Sequence, residues 1–199
     1  MNYQTKPLGC DPATLQGLSE KLIISHYETN YGDAVKRLNA ITFQPAELDP
    51  TTVPGYLFNG LKREELIAAN SMILHEIYFD GLGGGGELSG DLDAALSRDF
   101  GSADHWRKEF VAMGKALGGG SGWVLLTYSP RQGKLVSQWA ADHTHTLAGA
   151  SPILALDMYE HSYHLDYGAK AAAYVDAYME NIDWLNAAAR LANCVSMKQ

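Results

Sequence analysis

One short segment, residues 157–161 with the sequence DMYEH, constrains the fold of this chain more than any other. It places the carboxylate of Asp157 four residues before the imidazole of His161, directly after the apolar run at 153–156, which predicts a buried strand. An oxygen ligand and a nitrogen ligand that leave a strand together suit an iron or manganese ion. The fold must then bring further ligands to the end of this strand.

Two more histidines lie far upstream, each inside a helical pattern. A helix with one buried stripe is predicted from about Ser19, its cap, to about Ile41, and His26 lies on that stripe. A second helix is predicted from about Lys62 to Phe79, with His75 among its apolar positions. One inward histidine is most often a satisfied core residue. Four buried polar groups, however, are costly to desolvate without a common partner, and a redox metal supplies one.

The composition is that of an ordinary globular chain and argues against several classes of protein. Of the 199 residues, 46% are hydrophobic and 19% are charged. The net charge of -8 argues against nucleic-acid binding, and no run reaches the roughly 20 apolar residues of a membrane span. With no export signal and only Cys10 and Cys194, a cytoplasmic location is expected, and whether these cysteines bond stays open. Neither lies near the histidines in sequence, unlike the ligands of a structural zinc site.

The chain is expected to divide into two units at the tetraglycine segment 83–86, which predicts a linker. Residues 1–82 would form a helical hairpin with a loop at 44–60, and residues 87–199 would form an α/β domain. Helices of the second unit are predicted at 91–100, 103–117 and 169–193, the last broken near Asn181. Its strands are predicted at 123–128, 135–140 and 153–156.

Six motifs, spread in order along the chain, carry a resemblance to a known family. They are HEIYF at 75–79, LSGDL at 88–92, DFGS at 99–102, GSGW at 120–123, DMYEH at 157–161 and NIDW at 181–184. With them the chain resembles the iron/manganese superoxide dismutase family along nearly its whole length, with tyrosine in place of the tryptophan of that family's D-x-W-E-H signature. Ordered matches of this kind are far more specific than any single motif.

The resemblance implies an α+β fold. A long helical hairpin would be followed by a domain with a three-stranded antiparallel sheet flanked by helices, and the metal would lie between the two. It also implies an oxidoreductase that disproportionates superoxide into dioxygen and hydrogen peroxide. One iron or manganese ion per subunit would be held by His26, His75, Asp157 and His161, with a solvent molecule in a fifth position.

The resemblance assigns roles around the metal as well. His143 would face the bound solvent, and His145 is the alternative for this role. The plain interpretation of His143 is a histidine in a surface loop. Because members that use histidine there bind iron or accept either metal, iron is favoured by a small margin. Trp123 would form an apolar wall of the pocket, which a core tryptophan could equally do.

A homodimer, or a tetramer built from dimers, is implied next. Glu160 would reach across the dimer interface to the ligand histidine of the other subunit and fix its tautomer. The histidine and tyrosine that pair across this interface in the family are Asn30 and His164 here, and these two can still hydrogen-bond.

Other positions depart from the family pattern near the substrate path. The gateway tyrosine is Ala34, with Tyr31 or Tyr27 as a partial substitute, and the basic residue of the first helix is Thr29. The arginine region after the signature is reduced to the sequence AKA at 169–171. Fewer cations should weaken the steering of the superoxide anion, so a rate below that of typical members is expected.

Two alternative functions stay open from the sequence. A non-catalytic structural paralogue would be expected to lose ligands and gain basic charge, whereas this chain keeps all four ligands and is acidic. A metal-binding protein of the same fold with weak or different redox activity is compatible with the altered outer residues. Metal content measured together with activity separates these possibilities.

Overall fold

Helices make up the N-terminal part of the chain in the computed structural model, which describes residues 2–196, and a three-stranded sheet lies in the C-terminal part. The predicted α+β class is confirmed. The helices are α1 (Glu20–Ser25), α2 (Gly32–Thr42), α3 (Gly55–Asp80), α4 (Gly90–Phe100), α5 (Ala103–Ala116), α6 (His164–Tyr167), α7 (Ala171–Glu180) and α8 (Trp184–Ser196). None of these helices combines the length and the apolar character needed to cross a membrane.

The first predicted helix is continuous, but its middle is wound differently. Ser19 caps it as expected, because its hydroxyl oxygen accepts a hydrogen bond from the backbone N–H of Leu22 at 3.1 Å. Between α1 and α2 the segment His26–Tyr31 is π-helical, with both end residues buried. Wider turns of this kind are often found at functional sites. The change of winding matters here because this turn begins at a candidate metal ligand.

The helix α3 begins at Gly55, seven residues before the predicted Lys62, so that boundary and the loop predicted to reach Gly60 were wrong. Pro54 occupies the N-cap position, where its missing N–H costs no helical hydrogen bond. A short 3₁₀ turn at Gln44–Glu47 precedes it. The pairing of α2 with α3 forms the predicted helical hairpin.

The sheet is antiparallel and consists of β1 (Trp123–Ser129), β2 (Lys134–Ala140) and β3 (Ser151–Asp157) in the order β2-β1-β3. The central strand β1 is buried along its whole length. Its register pairs Trp123 with Asp157, so these two residues are direct neighbours at one end of the sheet. The predicted strands were correct in position and one to three residues short at their ends.

The tetraglycine segment is hydrogen-bonded to the C-terminal part, so it is an ordered connection and not a free linker. The backbone N–H groups of Gly83 and Gly84 each donate to the carbonyl of Asn181 at 3.0 Å, and the carbonyl of Gly85 accepts from the N–H of Trp184 at 2.9 Å. A Cβ atom on Gly85 would lie 2.5 Å from Oδ2 of Asp183. A side chain at position 85 would therefore displace the carboxylate of Asp183, and the domain boundaries at 82 and 87 stay a prediction.

Candidate metal centre

Four side chains from distant parts of the chain meet at the end of β3. His26 comes from the π-helical turn, His75 from α3, Asp157 from the last position of β3 and His161 from the 3₁₀ turn Glu160–Ser162. One potential ligand atom of each lies within 4.8 Å of the others. The first three are buried, and the side chain of His161 is 26% exposed.

The Oδ2 atom of Asp157 is the centre of this group. It lies 3.1 Å from Nε2 of His161, 3.2 Å from Nε2 of His26 and 3.6 Å from Nε2 of His75. The backbone N–H of Tyr159 donates to the other carboxylate oxygen at 2.8 Å, and the hydroxyl of Tyr174 donates to the Asp157 carbonyl at 2.8 Å. The carboxylate is therefore fixed with one oxygen turned toward the three imidazoles.

Several nitrogen atoms at the centre have no hydrogen-bond partner within the described part of the chain. These are Nδ1 and Nε2 of His26 and Nε2 of His75, although the Nε2 atom of His26 is close to Asp157. Buried polar atoms are normally satisfied, so a group of this kind needs an explanation. Three nitrogen donors and one carboxylate match the ligand preferences of iron and manganese, and an ion would supply the partner that the lone pairs need.

The ring of His75 is oriented by the helix that carries it. Its Nδ1 lies 2.7 Å from the backbone carbonyl of Ser71 and 3.4 Å from the hydroxyl of the same residue. A carbonyl can only accept, so Nδ1 carries the proton and Nε2 presents a lone pair to Asp157. A hydrogen bond on the far nitrogen of a metal ligand sets both the tautomer and the ring orientation.

The protonation states suit metal binding. Burial, together with the nearby His26, lowers the pKa of His75 to about 3. Burial also lowers the pKa of His26, against the opposing effect of Asp157. Burial alone would raise the pKa of Asp157, but the close contacts with His161 and His26 outweigh it and hold the pKa well below its usual range. At neutral pH the centre thus has two buried neutral imidazoles and one carboxylate.

His143 lies beside this centre and is held by Trp123. The indole N–H of Trp123 donates to Nδ1 of His143 at 3.0 Å, and the side-chain amide of Asn70 donates to the His143 carbonyl at 2.6 Å. The imidazole stacks on the ring of Tyr159 at 4.9 Å, and its centroid is 6.2 Å from that of His75. Because Nδ1 accepts, the neutral ring carries its proton on Nε2, and partial burial lowers the pKa of His143 and favours this neutral form.

The alternative residue, His145, is turned away. It is exposed, its ring stacks on that of Trp139, and it accepts a hydrogen bond from the backbone N–H of Ala141. Of the two histidines in this loop, the structure therefore brings only His143 next to the metal ligands.

A small cavity of about 200 Å³ opens beside His143. Its lining residues are Thr29, Asn30, Asp33, Ala34, Arg37, Ile67, Ala68, Ser71 and His143. The departures from the family pattern at positions 29, 30 and 34 therefore lie on the wall of this cavity, beside His143. Arg37 is the one cation among these lining residues.

Tyr31, the predicted substitute for the gateway tyrosine, does not line this cavity. Its buried ring faces that of His75 at a centroid distance of 6.3 Å. Its hydroxyl accepts from the backbone N–H of Lys6 and donates to a carboxylate oxygen of Glu76. Sequence analysis missed Lys6, Glu76 and Asn70, because their contacts span 25 to 73 residues and no local pattern encodes them.

Two of the three residues predicted to act across a dimer interface are exposed, and the third, Asn30, is partly buried on the wall of the cavity. Glu160 lies beside the ligand His161 in the 3₁₀ turn, and His164 begins the short helix α6. Their predicted contacts with a second subunit stay a prediction.

Comparison with known proteins agrees with this geometry. The sequence model of the family described as "Iron/manganese superoxide dismutases, C-terminal domain" matches residues 88–190. A protein of Cupriavidus metallidurans named Superoxide dismutase [Fe] is 72% identical over 98% of this chain and 99% of its own length. A Superoxide dismutase [Mn] of Haloarcula marismortui is 40% identical over 98% and 96%, and Superoxide dismutase [Mn] 2 of Halobacterium salinarum is 36% identical over 90% of each chain.

Proposed function

The chain belongs to the iron/manganese superoxide dismutase family, and from this premise we propose how its own residues carry out the reaction. The enzyme is an oxidoreductase that converts two superoxide anions and two protons into dioxygen and hydrogen peroxide, and its cofactor is an iron or manganese ion. His26, His75, Asp157 and His161 are the proposed ligands. The observation that carries this assignment is the set of buried, unpartnered imidazole nitrogens around one carboxylate oxygen.

A bound ion of this kind supplies one-electron redox chemistry, alternately accepting and donating an electron. The protein's own contribution is to hold the ligands and to manage charge and protons. The single carboxylate of Asp157 with neutral imidazoles leaves the loaded centre positive. A small anion is therefore attracted toward it.

His143 is the proposed proton-handling residue. With Nδ1 held by the indole N–H of Trp123, its Nε2–H is the group free to donate a hydrogen bond to solvent or substrate in the pocket. Trp123 and the stacked ring of Tyr159 cover the flanks of this imidazole and keep it in one orientation. A peroxide dianion is a strong base, so each product molecule must take up two protons before it leaves.

Iron is the proposed metal. The relative named as an iron enzyme is 72% identical, whereas the two relatives described above as manganese enzymes are 36% and 40% identical. Metal choice depends on the outer residues around the ligands, and those are best preserved between close relatives.

Dimerisation is proposed from the position of Glu160. Its exposed carboxylate lies one residue from the ligand His161, so a second subunit bound at this face would bring Glu160 close to its partner's centre. Light scattering of the purified protein gives the mass directly. A mass near 21.7 kDa, that of one chain, would contradict this proposal.

A cytoplasmic location is proposed from the state of the cysteines. Cys10 and Cys194 are both free thiols, which is typical of proteins in a reducing compartment. Fractionation of cells that produce the protein, with the activity assayed in each fraction, tests this proposal.

The deciding experiment combines metal analysis with stopped-flow dismutation kinetics on the same purified sample. We expect one iron per chain and a rate below the diffusion limit, because the cavity beside His143 is lined by Ala34 and Thr29 and carries few cations. Full metal occupancy without dismutation would favour a different redox role, and the absence of bound metal would favour a structural protein. A rate at the diffusion limit would contradict the expected loss of efficiency.

A further inference from the structure

A short N-terminal segment, Tyr3–Lys6, packs on α2 and on the π-helical turn that begins at His26. Its first residue exchanges two hydrogen bonds with the side-chain amide of Asn39, at 2.8 and 2.9 Å. At its other end the carbonyl of Lys6 accepts from the hydroxyl of Tyr27 at 2.7 Å, and the N–H of Lys6 donates to the hydroxyl of Tyr31 at 2.8 Å. Four hydrogen bonds thus fix the backbone of a segment that has no regular secondary structure.

This anchoring places a charge pair beside a metal ligand. The ammonium of Lys6 lies 2.5 Å from one carboxylate oxygen of Glu76, and the hydroxyl of Tyr31 donates to the other oxygen at 3.2 Å. Glu76 follows the ligand His75 in α3, and its side chain is only 14% exposed. The lysine side chain, by contrast, is 71% exposed. The carboxylate of Glu76 is therefore held inside the protein, whereas the ammonium of Lys6 is open to solvent.

A pair of this kind contributes little to the stability of the fold, because one member is mostly exposed and screened. Its effect on a nearby ion is different. The carboxylate is the inner, less exposed charge, and charges in a partly dry region interact more strongly than charges in water. The burial of Tyr31 raises the pKa of its hydroxyl to about 12, so this group stays neutral and adds no charge of its own at neutral pH.

We propose that Lys6 and Glu76 together set the reduction potential of the metal bound beside them, with Tyr31 as the positioning residue that fixes the carboxylate. This inference rests on the proposed function. The negative charge of Glu76 stabilises the more positive, oxidised metal and lowers the potential. The positive charge of Lys6 offsets part of that effect and raises it.

The test measures the ratio of oxidised to reduced metal at one fixed mediator potential, by optical titration of fully loaded protein. Removing the anion in Glu76→Gln should shift this ratio severalfold toward the reduced form. Removing the cation in Lys6→Met should shift it severalfold toward the oxidised form, and the double variant should lie between Glu76→Gln and the wild type. A purely structural role would not produce shifts of opposite sign.

Two further variants serve as controls. Lys6→Arg keeps the charge and should keep the wild-type ratio. Lys108→Met removes a lysine of similar exposure, 73%, whose partner is Asp104 on α5, and should leave the ratio unchanged. If Glu76→Gln does not fold, Lys6→Met and Lys6→Arg still decide, because the side chain of Lys6 is mostly exposed.

The outcomes separate the inference from the proposed function. A wild-type protein that binds no redox metal overturns both. A loaded protein that dismutates superoxide but shows equal ratios in Lys6→Met and wild type, or shifts of the same sign in both single variants, overturns only the inference.

Discussion

At the scale of single residues, the centre depends on which nitrogen of each histidine carries a proton. The carbonyl of Ser71 decides this for His75, and the indole N–H of Trp123 decides it for His143. In each case the group on the far side of the ring leaves the other nitrogen free for the metal site. The partner of His75 lies one helical turn before it in α3, whereas the partner of His143 is 20 residues away on β1 and depends on the tertiary structure.

The first prediction concerns the indole donor. Trp123→Phe keeps an aromatic wall but removes the N–H that holds His143, so the ring can adopt the other tautomer. We expect the dismutation rate per bound metal to fall about 10-fold to 100-fold, as is typical when a group behind a metal-site residue is lost. Stopped-flow kinetics at matched metal content measure this. An unchanged rate would show that the tautomer of His143 does not matter.

The second prediction concerns the stability of the metal-free protein against pH. The pKa of His75 is about 3 in the fold and 6.5 without its environment, so the unfolded chain binds more protons between these values. The free energy of unfolding should therefore fall as the pH is lowered from about 6.5 toward 3, by up to about 1.4 kcal/mol per pH unit for this group.

The lowered pKa of His26 has the same effect on the free energy of unfolding, which should fall as the pH is lowered below about 6.5. Urea unfolding of the metal-free protein at several pH values between 7 and 4 measures the slope. In His75→Gln the slope should be smaller than in the wild type. An equal slope in both proteins would contradict the buried neutral state of this histidine.

At the scale of elements, Asp157 is placed by close packing of a helix against the strand that carries it. Gly114 of α5 faces Leu156, and a Cβ atom at this glycine would lie 2.8 Å from that leucine and 3.1 Å from Val175 of α7. Because Gly114 has no side chain, α5 and α7 can pack closely against the last residues of β3 before Asp157. The position of Asp157 therefore depends on a contact between residues that lie outside the motif at 157–161.

The third prediction compares two glycines in helices. Gly114→Ala should lower the free energy of unfolding by about 1–3 kcal/mol, because the added methyl group overfills the packed contact. Gly60→Ala in α3 has open space around the new methyl group and should raise stability by about 0.5–1 kcal/mol through helix propensity. Denaturant unfolding of both variants tests the pair. Equal effects would mean that packing at Gly114 is looser than the distances indicate.

At the scale of the whole molecule, the centre joins segments that no local interaction connects. The four proposed ligands lie at positions 26, 75, 157 and 161, on the helical hairpin and at the end of the sheet. An ion bound there would link the two parts of the chain, in addition to the hydrogen bonds of the glycine segment at 83–86. Binding energy at such a site appears as stability of the folded state.

The fourth prediction follows from this link. Removal of the metal with a chelator should lower the thermal midpoint, and reloading should restore it. With free metal at about a thousand times the dissociation constant the gain is about 4 kcal/mol. Asp157→Asn should show a smaller gain at the same metal concentration, because the charged ligand is lost. Equal midpoints for loaded and metal-free wild type would contradict a metal site that joins the two parts.

The α+β class, the positions of most helices and strands and the four candidate ligands could all be predicted from the sequence. Periodicity and capping at Ser19 are local properties, and the ordered motifs fix the family. The start of α3 was predicted seven residues too late, because a proline at an N-cap resembles a loop, and the domain linker predicted at the glycine segment stays a prediction. The position of His143 rather than His145 beside the proposed ligands, and the contact of Lys6 with Glu76, follow from long-range packing. Such contacts join residues far apart in the chain, and their geometry is set by packing and not by any local pattern.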